Sequence, residues 1–373
     1  MPQETLEFRI TFRKLLMGLF ITVVPICLVA LYSVAESRKN LERTIGAQFK
    51  NIAESTATEI ADFIHGEVVE VALMAADSAV EDAVVEANRS YQGFSDSAFN
   101  EKVKRIEKIW NTPESTGMVK QMLSSRASRS LRRYRELDGK FLRITVTDER
   151  GATVAATHKT RNYYQADEPY WQDIYAGGRG AISLTDIEYD EVTKSNYIGI
   201  GVPILEEGSN RFIGTLDALI EVSSIFPIVK RAQTGAGTRA LLVRQDGSVI
   251  ISPNVSLPAN LKSAEYAAVT DAFGALQGRQ SGYLVANLRG MGNTMTGYAD
   301  SGLKQDYQKL AWVALVSQPV ADAFGPVRTT ERLIILMAVL GLIAATVLSV
   351  YFSIHKKGEI EEIEEEFHPP ISQ

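Results

Sequence analysis

Phe141-Leu-Arg-Ile-Thr-Val-Thr-Asp148 and Ala152-Thr-Val-Ala-Ala-Thr157 are two β-rich runs joined at Glu149-Arg-Gly151. The glycine stands where a tight turn needs positive φ, so the pair predicts a β-hairpin. A loop crowded with aromatics and acids follows, Tyr163-Tyr-Gln-Ala-Asp-Glu-Pro-Tyr-Trp171. Three further β-rich runs come next, at Ala181–Asp190, Asn196–Leu205 and Arg211–Val222. The same opening then recurs about 100 residues later: Arg239-Ala-Leu-Leu-Val-Arg-Gln245 turns at Asp246-Gly247 and returns as Ser248-Val-Ile-Ile-Ser252. A helix is expected around Ala264–Leu276, then strands at Gln280–Leu288, Asn293–Ala299 and Leu310–Ser317. Two related antiparallel modules in tandem are the expected centre of an α+β chain.

Outward from this centre the chain turns helical on both sides. Val34, Leu41, Ile45, Phe49, Ile52, Ile60, Ile64, Val68 and Val71 recur at helical spacing, predicting one stalk helix from residue 34 to about 88. Gly93 and Ser95 interrupt it. A second helical region is expected from Ala98 to Leu137 with a break near Asn111-Thr-Pro113. It carries Arg126, Arg129, Arg132, Arg133 and Arg135. On a chain of net charge −6 these read as a solvated helix face rather than a nucleic-acid footprint.

Farther out lie two apolar runs without a charge, Leu15 to Ala35 and Leu333 to Ile354. Each has the roughly 20 residues needed to cross a bilayer as a helix. The first has a rival reading as a cleaved signal peptide, with Ser33-Val34-Ala35 as its cleavage site, but a signal core usually spans only about 7–15 apolar residues. Arg9, Arg13 and Lys14 before the first run, and His355, Lys356 and Lys357 after the second, place both termini in the cytoplasm and residues 36–332 outside. Cys27, the one cysteine, falls inside the first run, so the exported part is held by its core and not by disulfides. The acidic tail, residues 355–373, is too short for a kinase, cyclase or coiled-coil output domain.

This layout resembles the double Cache family of extracytoplasmic sensors of bacterial membrane receptors. The most specific part is Tyr163-Tyr-Gln-Ala-Asp-Glu-Pro-Tyr-Trp171 with Ser183-Leu-Thr-Asp-Ile-Glu-Tyr189, similar to that family's ligand loop and following strand. The resemblance implies a long N-terminal stalk helix and two tandem PAS-like antiparallel-sheet modules flanked by two transmembrane helices. The expected divisions are residues 1–14, cytoplasmic N-terminus; 15–35, first transmembrane helix; 36–140, stalk and helical region; and 141–234, membrane-distal ligand module. After these come 235–318, membrane-proximal module; 319–332, linker helix; 333–354, second transmembrane helix; and 355–373, cytoplasmic tail. It further implies a bacterial inner-membrane location, a parallel homodimer and a small-molecule ligand in the distal module.

In the amino-acid-binding members, the motif is a tyrosine, an arginine five residues on, an aromatic pair, and an aspartate about 45 residues later that holds the ligand ammonium. Tyr163 and Asp217 match, and Tyr170-Trp171 stands where the family has a tryptophan-tyrosine pair, in reversed order; the arginine position holds Glu168. A glutamate repels the carboxylate that an arginine would grip. The expected ligand set is therefore Tyr163, Tyr164, Asp167, Glu168, Tyr170, Trp171, Asp186, Tyr197 and Asp217, with acids and aromatic faces suited to an amine or another cation. Each has a plainer reading: Glu168 as a helix N-terminal acid, Trp171 as a core anchor.

No cofactor, metal site or enzyme is expected. His65, His158, His355 and His368 are scattered, and neither a phosphate loop nor a nucleophile elbow occurs. The expected function is a sensor that passes a conformational signal through the second transmembrane helix to a separate cytoplasmic partner. The competing class is an anchored binding or structural ectodomain that sends nothing inward.

Overall fold

The computed structural model describes residues 12–190, 195–235, 237–252, 261–273, 281–325, 332–344 and 346–347. It divides into two units, Ala47–Pro319 and a second made of Met1–Gly46 with Val320–Gln373.

The larger unit opens with the C-terminal part, from Ala47, of helix α1 (Phe12–Ala75). Phe49, Ala53, Ile60, Ile64, Val68 and Val71 form its buried stripe. The single helix expected to residue 88 ends earlier. Asp77 caps a new helix, α2 (Ser78–Arg89), its Oδ1 accepting from the backbone of Ala79 at 2.8 Å and its Oδ2 from Ser130 Oγ at 2.5 Å. Helices α3 (Asp96–Trp110), α4 (Thr116–Leu123) and α5 (Arg126–Leu137) fill the second helical region, with the expected break at Pro113. The α5 arginines have local work. Arg129 and Arg132 donate to the carbonyls of Ser124 and Leu123 at the end of α4, satisfying acceptors that a helix C-terminus leaves open.

The first sheet holds β1 (Phe141–Asp148), β2 (Thr153–Ala156), β3 (Ser183–Leu184), β4 (Glu188–Asp190), β5 (Ser195–Leu205) and β6 (Phe212–Glu221), with α6 (Pro169–Tyr175) between β2 and β3. Its order is β2-β1-β6-β5-β3, with β4 also on β5. After α7 (Phe226–Arg231), the second sheet holds β7 (Arg239–Arg244), β8 (Val249–Ile251), β9 (Ser281–Leu288), β10 (Gly292–Asp300) and β11 (Trp312–Pro319), with α8 (Ala264–Phe273) after β8. Its order is β8-β7-β11-β10-β9, and both sheets are antiparallel throughout. In each, the opening hairpin sits at one edge and the last strand returns beside the first. The repeat seen in the two hairpin openings is thus a repeat of whole topology, and the chain is α+β.

Helix α1 packs on the second sheet and holds the residue that leads into the first. A Cβ on Gly297 of β10 would stand 2.3 Å from the backbone carbonyl carbon of Phe49, so only glycine admits this close approach. Ser281 of β9 donates to Glu54. Beside the first sheet, Lys140 Nζ lies 2.9 Å from Glu67, 2.8 Å from Glu70 and 2.7 Å from Asp138.

In the smaller unit, residues 332–344 are helical. Large apolar side chains stand exposed there, Leu333, Leu336, Met337 and Leu340 among them, as do Phe20, Ile21, Leu28 and Leu31 on the first part of α1. Among the described residues no helix is long and apolar enough to cross a membrane. Both expected spans reach beyond the described residues: 348–354 of the second, and several side chains of the first. Residues 326–331 of the expected linker helix and the acidic tail also lie outside them.

Candidate functional site

One face of the first sheet forms the floor of a cavity of about 760 Å3. Strand register explains which side chains reach it. Thr145 pairs with Asp217 and Asp217 with Gly201, while Arg143 pairs with Leu219 and Leu219 with Gly199. Residues paired or two apart share a face. Arg143, Thr145, Asp217 and Leu219 therefore look into one space, and Gly199 of β5 makes room there for Thr185, whose Oγ1 would lie 2.8 Å from a Cβ at that position. Tyr197 continues the floor. The walls come from Glu188 and Tyr189 of β4, from Thr185, and from the chain entering α6: Lys159 to Asn162, Gln165, Glu168, Pro169 and Tyr170. Lys309, from the second module, also lines the cavity.

Asp217 is the site's most perturbed acid. It is only 6% exposed. Burial pushes its carboxyl up to about 7, Arg143 pulls it down in part and Glu188 adds to the rise. Tyr170 donates to Gln165 Oε1 at 2.7 Å, and burial, with the charge of Asp217, holds its phenol well above the ordinary value. Tyr197 donates to Glu188 Oε2 at 2.7 Å, and its phenol is raised by burial and by that carboxylate. Arg143 carries a buried Nε with no hydrogen-bond partner among the described residues. A guanidinium on the floor with an open donor is a ready receptor for a carboxylate.

Four of the nine expected ligand residues meet at this cavity: Glu168, Tyr170, Tyr197 and Asp217. The other five stand elsewhere. Tyr163 and Tyr164 pack against Phe99 and Val103 below the β1–β2 hairpin, with Tyr163 5.3 Å from the Trp110 ring and its hydroxyl 3.3 Å from that of Tyr91. Trp171 is buried, stacks on Tyr175 at 4.9 Å and donates to Thr147 Oγ1 at 2.9 Å, which makes it the anchor of α6. Asp167 is exposed. Asp186 turns away from the cavity to Arg244 and Trp312, and that turn divides the run expected as one strand, 181–190, into β3 and β4.

The cations Arg143, Lys159, Arg161 and Lys309 are absent from the expected set. Arg143 had a signal: in Phe141–Asp148 the polar residues Arg143, Thr145 and Thr147 alternate with Ile144 and Val146, which puts an arginine on a strand face shared with threonines. Lys309 had none, because its approach depends on how the modules meet. Among the described residues no group of histidine, cysteine and acidic side chains could hold a metal ion.

Two antiparallel modules of one topology, backed by helices and with a polar cavity in the first, are the layout that the resemblance to the double Cache family implies. No protein-family model matches the chain, and no curated protein matches it. Among solved structures, it is similar to the extracellular domain of a protein assigned as a histidine kinase, at 15% identity and TM-score 0.47, covering 77% of this chain and 96% of that one. It is similar to the ligand-binding domain of the amino-acid chemoreceptor PctC of Pseudomonas aeruginosa, solved with GABA, at 12% identity and TM-score 0.46, covering 74% and 99%. It is similar also to the sensor domain of the histidine kinase DctB of V. cholerae, at 13% identity and TM-score 0.42, covering 74% and 98%.

Proposed function

We propose that this chain is a membrane-anchored extracytoplasmic sensor whose distal cavity binds a small zwitterion. The observation that supports the reading is the placing of Arg143, whose buried Nε has no hydrogen-bond partner among the described residues, beside a buried acid, Asp217, on adjacent strands of one cavity floor. As diagonal neighbours across an antiparallel pair they stand about 7–8 Å apart at the backbone. Arg143 takes the ligand carboxylate through its fork, and Asp217 takes the ammonium. The rings of Tyr170 and Tyr197 flank the cationic end. Arg143 thus supplies the carboxylate receptor that Glu168 does not, and moves the reading from a plain amine to a ligand bearing both charges.

The anchoring is supported by the apolar runs at residues 15–35 and 333–354, where most of the described side chains stand exposed. Both termini are then cytoplasmic. Ligand shifts the populations of two states of the extracytoplasmic part, and the second membrane helix passes that shift to a separate cytoplasmic protein, within a parallel homodimer. The test is a thermal-shift screen of the full chain in detergent against α- and ω-amino acids, amines, carboxylates and purines. A ligand at 100 times its Kd stabilises by about 2.7 kcal/mol. A hit among amino acids that Arg143→Met and Asp217→Asn each abolish is the expected result. A hit confined to purines, or one that survives both substitutions, refutes the reading.

A further inference from the structure

Residues 185–188 run between the cavity and the second module, and their side chains divide between the two. On the cavity side, Thr185 exchanges backbone and hydroxyl bonds with Gly199: its N–H donates to the Gly199 carbonyl at 2.9 Å, and its Oγ1 accepts from the Gly199 N–H at 2.9 Å. Glu188 accepts from Tyr197. All four of these residues line the cavity. On the other side, Asp186 Oδ2 accepts from Arg244 Nε at 2.5 Å, and Asp186 Oδ1 from Trp312 Nε1 at 3.0 Å. Arg244 Nη2 also donates to the Ile187 carbonyl at 3.2 Å. Arg244 and Trp312 are register partners on β7 and β11, so the clamp grips one rung of the second sheet. The Trp312 side chain is fully buried, which leaves its indole no freedom to follow Asp186 without its strand.

We propose that residues 185–188 form a transducing strap, through which the state of the distal cavity is read by the second module at the Asp186–Arg244–Trp312 clamp. Each residue of this short span is held by a hydrogen bond of its own, so only its φ and ψ rotations could absorb a displacement at the cavity before it reaches Asp186. A ligand that displaces Thr185 or Glu188 therefore displaces Asp186, and the clamp must follow or break. Strand β11 begins at Trp312 and ends at Pro319, from which the chain continues into the segment leading to residues 333–354. A second link supports the same route: Lys309, three residues before Trp312, lines the cavity and pairs with Asp173 of α6 at 2.5 Å. The inference rests on the cavity being the ligand site but not on which ligand fills it.

Coupling of this kind is reciprocal and can be read without ligand. The chain has three tryptophans, at 110, 171 and 312, so the full-length protein labelled with 5-fluorotryptophan gives three fluorine resonances, assigned by Trp312→Phe. Asp186→Asn and Arg244→Gln should each move the Trp312 resonance. The decisive variants are Tyr197→Phe and Thr185→Val, which alter the cavity wall and touch neither Arg244 nor Trp312. Displacement of the Trp312 resonance by either, with the Trp110 resonance in place as the sign of an intact fold, is expected. A Trp312 resonance at its wild-type position in both cavity variants overturns the strap, and one unmoved by both clamp variants removes the clamp itself. Failure of the zwitterion reading would leave all four spectra unaffected.

Discussion

Asp217→Asn should stabilise the protein at the expense of its site. The carboxyl of Asp217 is raised from 3.8 to about 7 by burial. A folded value above the unfolded one means that the folded chain holds an extra proton between the two. The group therefore costs nothing below about pH 4, costs progressively more as pH rises toward 7, and costs a constant amount above it. A displacement of this size corresponds to about 4 kcal/mol at 1.36 kcal/mol per pH unit. Asparagine keeps the shape and removes the charge, so the gain over wild type should be about 1 kcal/mol at pH 4.5 and approach the full figure at pH 8. For a unit this large each kcal/mol moves the melting midpoint by about 2–4 °C. Melting of both proteins in the same detergent from pH 4.5 to 8.5 is the assay, followed by near-ultraviolet circular dichroism. A gain that is equal at all pH values, or a loss that grows with pH, would refute the burial argument. The account also requires the stabilised variant to lose its ligand, a trade common where a site holds an unfavourable charge.

Three further outcomes are expected. Ligand affinity should fall about tenfold per pH unit below pH 7, because an ammonium must compete with the proton on Asp217; calorimetric titration across pH checks this. Lys140→Met strands the buried Glu67, whose carboxyl burial already raises, and should cost about 3–5 kcal/mol at neutral pH and less at pH 5, where Glu67 can protonate. Gly297→Ala forces a methyl onto the backbone of Phe49 and should part α1 from β10, seen as faster hydrogen exchange in both while the β1–β6 pair keeps its protection.

The tandem modules were legible because each opens with a hairpin that advertises itself by alternation and a turn glycine. The stalk was legible from its apolar stripe, but its end was not: Asp77 stops α1 by capping α2 and holding Ser130, a partner 53 residues away in sequence. The site was half legible. Asp217 and Tyr197 lie on strands whose pattern fixes their faces, so their meeting followed once the sheet was drawn. Tyr163 and Trp171 drew the eye as aromatics in a loop, yet aromatic rings bury readily, and these two anchor the hairpin and α6. Asp186 stands in the expected ligand set as one more acid near the aromatics, and its contacts with Arg244 and Trp312 depend on the second module, which the local pattern does not encode. Lys309 reaches the cavity only through the meeting of two modules, which no local pattern encodes.

The most direct measurement is a calorimetric titration of the full-length protein at pH 8 with one amino acid from the screen, its amide, and its N-acetyl derivative. The account predicts that the parent zwitterion binds, that the amide fails for want of a carboxylate at Arg143, and that the acetylated form fails for want of an ammonium at Asp217. Binding of the amide or the acetyl derivative with the parent's affinity would contradict it.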